Sequence, residues 1–123
     1  MGGNTLFILA RILIPSVFVG LGISRLLAGA GVLPGGPVSA AALAFSVFEL
    51  VAGLAIMAGW KVRWVATVMA AFILVDAFVA HPFWMYPAAE MHGQLLHFLK
   101  NLSTLGGLLL LVWVDATHAR RAR

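Results

Sequence analysis

A lone carboxylate, Glu49, stands near the centre of an apolar run long enough to cross a membrane. A charged side chain at that depth is costly, and it persists when it has a partner, a proton or a function. Three cations lie in or at the edge of other apolar runs, Arg11, Arg25 and Lys100, and a second acid, Asp76, lies in another. From the helical rise of about 1.5 Å per residue, Glu49 falls close to the midplane, Arg11 toward one edge, and Lys100, Asp76, Arg25 and His97 in the opposite half. His97, Lys100, Asn101 and Thr104 follow an i, i+3, i+4, i+7 pattern, which puts them on one face of a helix. Only an inward orientation makes such a stripe tolerable in lipid. The expected pairings are therefore Glu49 with Lys100, Arg11 or both, and Asp76 with Arg25. Arg11 and Asp76 are read as structural ion-pair members.

His81 precedes Pro82, and Phe83 and Trp84 follow at once. An imidazole titrates near neutrality and can exchange a proton or donate to a ligand. Aromatic rings at this position fit an interfacial belt, and they equally fit the lip of a site for a planar headgroup. The candidate ligand-binding set is Arg25, Glu49, His81, Phe83, Trp84, His97, Lys100 and Asn101. The other reading is that these charges serve only to fix helix packing and register. His92 and His97 are five apart, which does not share one helical face, and no metal site is expected.

The elements that must hold these residues are helices. The chain of 123 residues is 63% hydrophobic and 10% charged, outside the range of soluble domains. Its length accommodates about four spans of roughly 20 residues each. The expected spans are about 5–27, 38–59, 65–80 and 94–114, within a single membrane domain over 1–123. Ala28-Gly29-Ala30 is cleavage-site-like, but no basic segment precedes the first span and Arg11 interrupts it, so a retained helix is expected. Pro15 predicts a kink inside the first span. The turn Gly59-Trp60-Lys61-Val62-Arg63-Trp64 and the tail Arg120, Arg121 and Arg123 hold most of the cations. The positive-inside rule then predicts cytoplasmic termini. The segment His81 to Gly93 is expected as an outward-facing interfacial connection. Short loops force antiparallel neighbours, so the predicted fold is an all-α, up-down-up-down four-transmembrane-helix bundle. Ser16, Gly20 and Ser24 recur every fourth residue, as do Ser103 and Gly107, in small-xxx-small patterns suited to packing within the bundle or to a homodimer face.

With no cysteine, disulfides and thiolate metal sites are excluded. The formal charge of +4 comes from scattered cations, which argues against nucleic-acid binding. No Ser/His/Asp set, phosphate-cradling glycine loop or metalloprotease motif is present.

The sequence also resembles the DoxX-type membrane proteins over nearly its whole length. The resemblance rests on Arg11, Phe18, Gly22 and Arg25 in the first span and on Glu49 and Gly53 in the second. Its densest part is HPFW followed by HFLKNLSTLGGLLLL, at His81, Phe83, Trp84, Lys100, Asn101, Leu102 and Gly106. That resemblance implies a bacterial or archaeal inner-membrane subunit associated with redox chemistry. No resident cofactor is expected, and a quinone or similar lipid-soluble molecule is the candidate ligand, held in the outer half of the bundle. Candidate partners are the lipid bilayer, a redox enzyme subunit and a second copy of the chain. A non-catalytic scaffold whose buried charges only specify packing is the alternative.

Overall fold

Pro15 breaks the first apolar run into two helices, α1 (Gly3–Leu13) and α2 (Ser16–Gly29), in a computed structural model that describes residues 2–123. Proline has no N–H to donate and its ring crowds the preceding turn, so the backbone bonds cannot run through unbroken. Ser16 Oγ donates to the carbonyl of Leu13 at 2.6 Å and satisfies one of the acceptors released by the break. The expected kink at Pro15 is therefore present.

Ser39 opens α3 (Ala40–Ala58) by accepting from the Ala42 N–H at 3.1 Å. A side-chain oxygen here satisfies one of the orphan donors of the first turn. Gly59 closes the helix at φ +85, with Trp60 N–H donating to Ala55 O at 2.9 Å and Gly59 N–H to Ile56 O at 3.1 Å. This is the Schellman pattern, which needs a residue tolerant of the left-handed region. α4 (Val62–Val79) starts two residues beyond Trp60, after Lys61, which itself has φ +45. A 3₁₀ turn (Phe83–Met85) follows, and α5 (Ala88–Arg121) starts directly after Pro87. No strand occurs among the described residues.

Four segments are long and apolar enough to cross a membrane: Gly3–Gly29, Ala40–Ala58, Val62–Met85 and Ala88–Arg121. The last begins earlier than sequence reading placed it. Residues 88–93, expected in a connection, belong to α5. Pro87 at the helix entrance and Glu90 in the first turn supply the start signals. At 34 residues α5 is about 50 Å long, more than the roughly 30 Å hydrocarbon core, so it extends beyond the apolar layer.

The chain packs as two compact units, one ending at Val65 and one running from Ala66 to Arg123. In the first, α2 and α3 are antiparallel. A Cβ added to Gly29 would meet Leu43, one on Gly22 would meet Ser46 and Leu50, and one on Gly53 would meet Val19 and Pro15. Each step along α2 is thus matched by a step back along α3. In the second, Phe78 of α4 meets Phe98 of α5 edge-on at 5.3 Å, Asp76 meets Asn101, and His81 meets Gln94, which is again an antiparallel register. Val62, Ala66, Met69, Ile73 and Ala77 form the buried stripe of α4, and Leu108 and Leu111 are buried on α5.

The small-residue stripe on the first span faces the other way from the expectation of packing within the chain. Ser16, Gly20 and Ser24 are exposed, and a Cβ on Gly20 would meet nothing. The face of α2 laid on α3 is instead Pro15, Phe18, Gly22 and Arg25, at i, i+3, i+7 and i+10.

Candidate functional site

In the first unit the chemistry centres on Glu49, which is 5% exposed. Arg25 Nη1 donates to Glu49 Oε2 at 2.7 Å. The direction of helical side chains explains the pair. Long side chains lean toward the N-terminus of their own helix. Because α2 and α3 are antiparallel, Arg25 leans toward the middle of α3 and Glu49 leans back toward Arg25. The guanidinium stem spans the offset between their backbones. Gly22, one turn before Arg25, allows the approach: its absent Cβ would lie 3.0 Å from the Ser46 carbonyl. Ser46 is fully buried, and its hydroxyl donates to the Ala42 carbonyl at 2.8 Å.

Two expected pairings are corrected here. Arg25 holds Glu49 and not Asp76. Arg11 does not reach Glu49, because its guanidinium lies at the far end of α3. A Cβ on Gly59 would sit 2.6 Å from Arg11 Nη1, and Gly59 is about 15 Å along the helix axis from Glu49. Arg11 thus sits where α3 exposes its last carbonyls and the negative end of its dipole, with its guanidinium carbon 5.8 Å from the Phe7 ring centre.

In the second unit a polar chain links α4, the following turn and α5. Asn101 Nδ2 donates to Asp76 Oδ2 at 2.9 Å. His81 Nδ1 and Gln94 Oε1 are 2.9 Å apart, so Nδ1 carries the proton and donates to the amide oxygen. The second ring nitrogen, Nε2, is then an acceptor in the neutral imidazole. It lies 3.7 Å from Asp76 Oδ2, another acceptor, beyond direct hydrogen-bond range. A proton on Nε2 turns this contact into an ion pair; with Nε2 unprotonated, an ammonium that reaches both atoms can donate to each, whereas a single hydroxyl donates to one of them. His97 stacks on the His81 ring, with centroids 5.0 Å apart and planes at 28°.

Four aromatic rings stand beside this chain. Phe83 meets Trp84 at 5.2 Å and Phe98 at 5.3 Å, and Phe78 meets Trp84 at 6.2 Å, mostly in edge-to-face geometry. Trp84 is 52% exposed and forms the outer edge of the group. Of the predicted residues, the structure brings together Asp76, His81, Phe83, Trp84, His97 and Asn101. Arg25 and Glu49 form the separate pair of the first unit. Lys100 is exposed, on the flank of α5. Sequence reading missed Gln94, Phe78 and Phe98. Gln94, His97, Phe98 and Asn101 fall at i, i+3, i+4 and i+7, so the same periodicity, started one turn earlier, finds the face that packs. Among the described residues no group of three or more histidines and acids is arranged to hold a metal ion.

The family model that matches this chain is the one described as the SURF4 family, over residues 11–119. No curated protein and no solved structure matches. The family match overturns the resemblance to DoxX-type proteins; it carries no functional detail bearing on the redox-subunit role that the resemblance implied. Short motifs such as HPFW and a glycine-bearing apolar run suit any interfacial turn and packed membrane helix, so their order alone did not discriminate between families.

Proposed function

We propose, for a chain that belongs to the SURF4 family, that it is a multi-pass membrane protein binding a small lipid-soluble molecule through a planar, hydroxyl-bearing headgroup. A quinol is the test case for that chemical class. The reading rests on one observation, the two facing acceptors His81 Nε2 and Asp76 Oδ2 at 3.7 Å. A hydroxyl between them donates to the carboxylate and accepts from the imidazole when Nε2 is protonated, or donates to Nε2 when it is not. Asn101 and Gln94 hold the two groups from α5, and His97 covers one face of the His81 ring. The rings of Phe78, Phe83, Trp84 and Phe98 supply an apolar flank for a planar group arriving from the lipid.

The helices cross the membrane alternately, with both termini on the cytoplasmic side. Cation placement supports this: Lys61 and Arg63 in the α3–α4 turn and the arginines of the tail then share one face. The buried Arg25–Glu49 pair fixes the register of α2 on α3 and is not assigned to ligand.

A fluorescence titration tests the binding reading. In a protein with Trp60, Trp64 and Trp113 replaced by Phe, Trp84 is the only reporter. A short-chain quinol should quench it saturably. Asp76→Asn removes a hydrogen bond to a charged group, worth about 1.5–3 kcal/mol, so the apparent Kd should rise roughly ten- to a hundredfold. Quenching that is linear in quinol, or unchanged in Asp76→Asn and His81→Ala, rules the reading out.

A further inference from the structure

The two atoms that face each other across the gap in the second unit are both acceptors. His81 Nδ1 donates to Gln94 Oε1, so Nε2 of the neutral ring presents a lone pair toward Asp76 Oδ2 at 3.7 Å. Asp76 Oδ2 accepts from Asn101 Nδ2 at 2.9 Å and has a lone pair left for a second donor. Among the described residues Asp76 pairs with no lysine or arginine; its partners are Asn101 and His81. The gap is reachable from outside, since the His81 and Asp76 side chains are 24% and 27% exposed.

Its place in the fold favours a cation. Asp76 stands in the last turn of α4, where the carbonyls of a helix lack partners and its dipole is negative. That turn carries no basic residue. A carboxylate and a helix C-terminus therefore add their negative potentials at one end of α4. Lys100, three residues after His97 on α5, is exposed and can carry its own charge outward to the headgroup level. A hydroxyl has one hydrogen to give and leaves one of the two acceptors without a donor; a primary ammonium has three. With a net charge of +4 the chain as a whole repels cations, so holding one requires such a local site. We propose that the gap between His81 Nε2 and Asp76 Oδ2 binds the ammonium of a long-chain, membrane-soluble primary amine, with one N–H donated to each acceptor. The rings of Phe83, Trp84 and Phe98, packed on one another beside the polar chain, supply apolar surface for its first methylenes. The inference rests on the same gap as the headgroup reading, but not on quinol binding.

The 15N resonances of His81 in phosphatidylcholine nanodiscs test it, with dodecylamine, dodecyltrimethylammonium and dodecanol as probes. The first has charge and N–H donors, the second charge alone, and the third one donor and no charge. The titrations are run at about pH 8, above the ordinary imidazole range and below that of an alkylammonium. Dodecylamine should shift Nε2 saturably, with an apparent Kd roughly ten- to a hundredfold below that of either comparator. Asp76→Asn should raise the amine Kd by roughly ten- to a hundredfold. Glu90→Gln, which removes an acid in the first turn of α5, should leave it unchanged. Equal affinity for dodecylamine and dodecyltrimethylammonium overturns the proposal, because charge alone then accounts for binding. A Kd unchanged in Asp76→Asn, or raised as much in Glu90→Gln, overturns it too. The comparison of the three probes uses the unaltered protein, so it decides the outcome even if Asp76→Asn does not fold. Saturable quinol binding with no response to the amine removes this inference and leaves the headgroup reading standing. A saturable amine response with no quinol binding does the reverse.

Discussion

Removing Arg25 should destabilise the protein more than removing Glu49, although the two side chains share one bond. The asymmetry comes from their surroundings. The Arg25 side chain is 41% exposed, whereas that of Glu49 is 6% exposed. In Glu49→Gln the remaining cation can swing outward to water or lipid phosphate. The loss is then about that of a hydrogen bond to a charged group, toward the low end of about 1.5–3 kcal/mol. In Arg25→Gln a buried carboxylate loses its cation and cannot follow it out. Breaking buried pairs in that way costs about 3–5 kcal/mol. The double variant Arg25→Gln/Glu49→Gln leaves no charge behind and should cost less than Arg25→Gln alone, giving a coupling of at least about 2 kcal/mol. The assay is equilibrium unfolding in mixed micelles with increasing dodecyl sulfate, followed by circular dichroism. Two results would refute the reasoning: Glu49→Gln as costly as Arg25→Gln, or single effects that add to within about 0.5 kcal/mol.

Three further outcomes follow from the packing. Gly59→Ala forces a side chain into the left-handed region and against Arg11, so the unfolding midpoint should fall by the equivalent of at least about 1–2 kcal/mol. Gly22→Val should cost about 1–3 kcal/mol by pushing α2 away from the Ser46 carbonyl, while Gly20→Val, on the open face, should change stability by less than about 0.5 kcal/mol. Equal losses in the two glycine variants would mean the register of α2 on α3 is wrong. Asn101→Leu removes the donor to Asp76 and should destabilise by about 1–3 kcal/mol, with slower unfolding restored in Asn101→Gln only if the amide still reaches the carboxylate.

The helices were legible in the sequence because lipid imposes long apolar runs and the breaks carry strong signals. Pro15, Ser39 and Gly59 each did locally what their chemistry predicts. The start of α5 was missed because an aromatic, proline-rich stretch looks interfacial throughout, although Pro87 already marks a helix entrance. The ion pairs were misassigned for a different reason. Depth was counted along the backbone, but an arginine side chain is long and leans along its helix. Arg25 therefore reaches a partner about three residues, or roughly 4.5 Å, deeper than its own Cα, and Arg11 reaches the end of α3. The stripe of Ser16, Gly20 and Ser24 and the face bearing Gly22 are both sterically suited to close packing. Two glycines two residues apart point about 200° apart on a helix, and only the partner helix decides which is used. The polar stripe on α5 was found by its period but displaced by one turn, which brought in Lys100 and left out Gln94.

The most direct measurement of the central claim is the 15N spectrum of the His81 imidazole in nanodiscs, with and without a short-chain quinol. The account predicts that the Nε2 resonance, which faces Asp76, moves and saturates as quinol is added, while Nδ1, bonded to Gln94, moves little. An Nε2 signal that stays fixed at quinol concentrations where Trp84 is fully quenched would contradict it, because the headgroup would then be bound elsewhere than between the two acceptors.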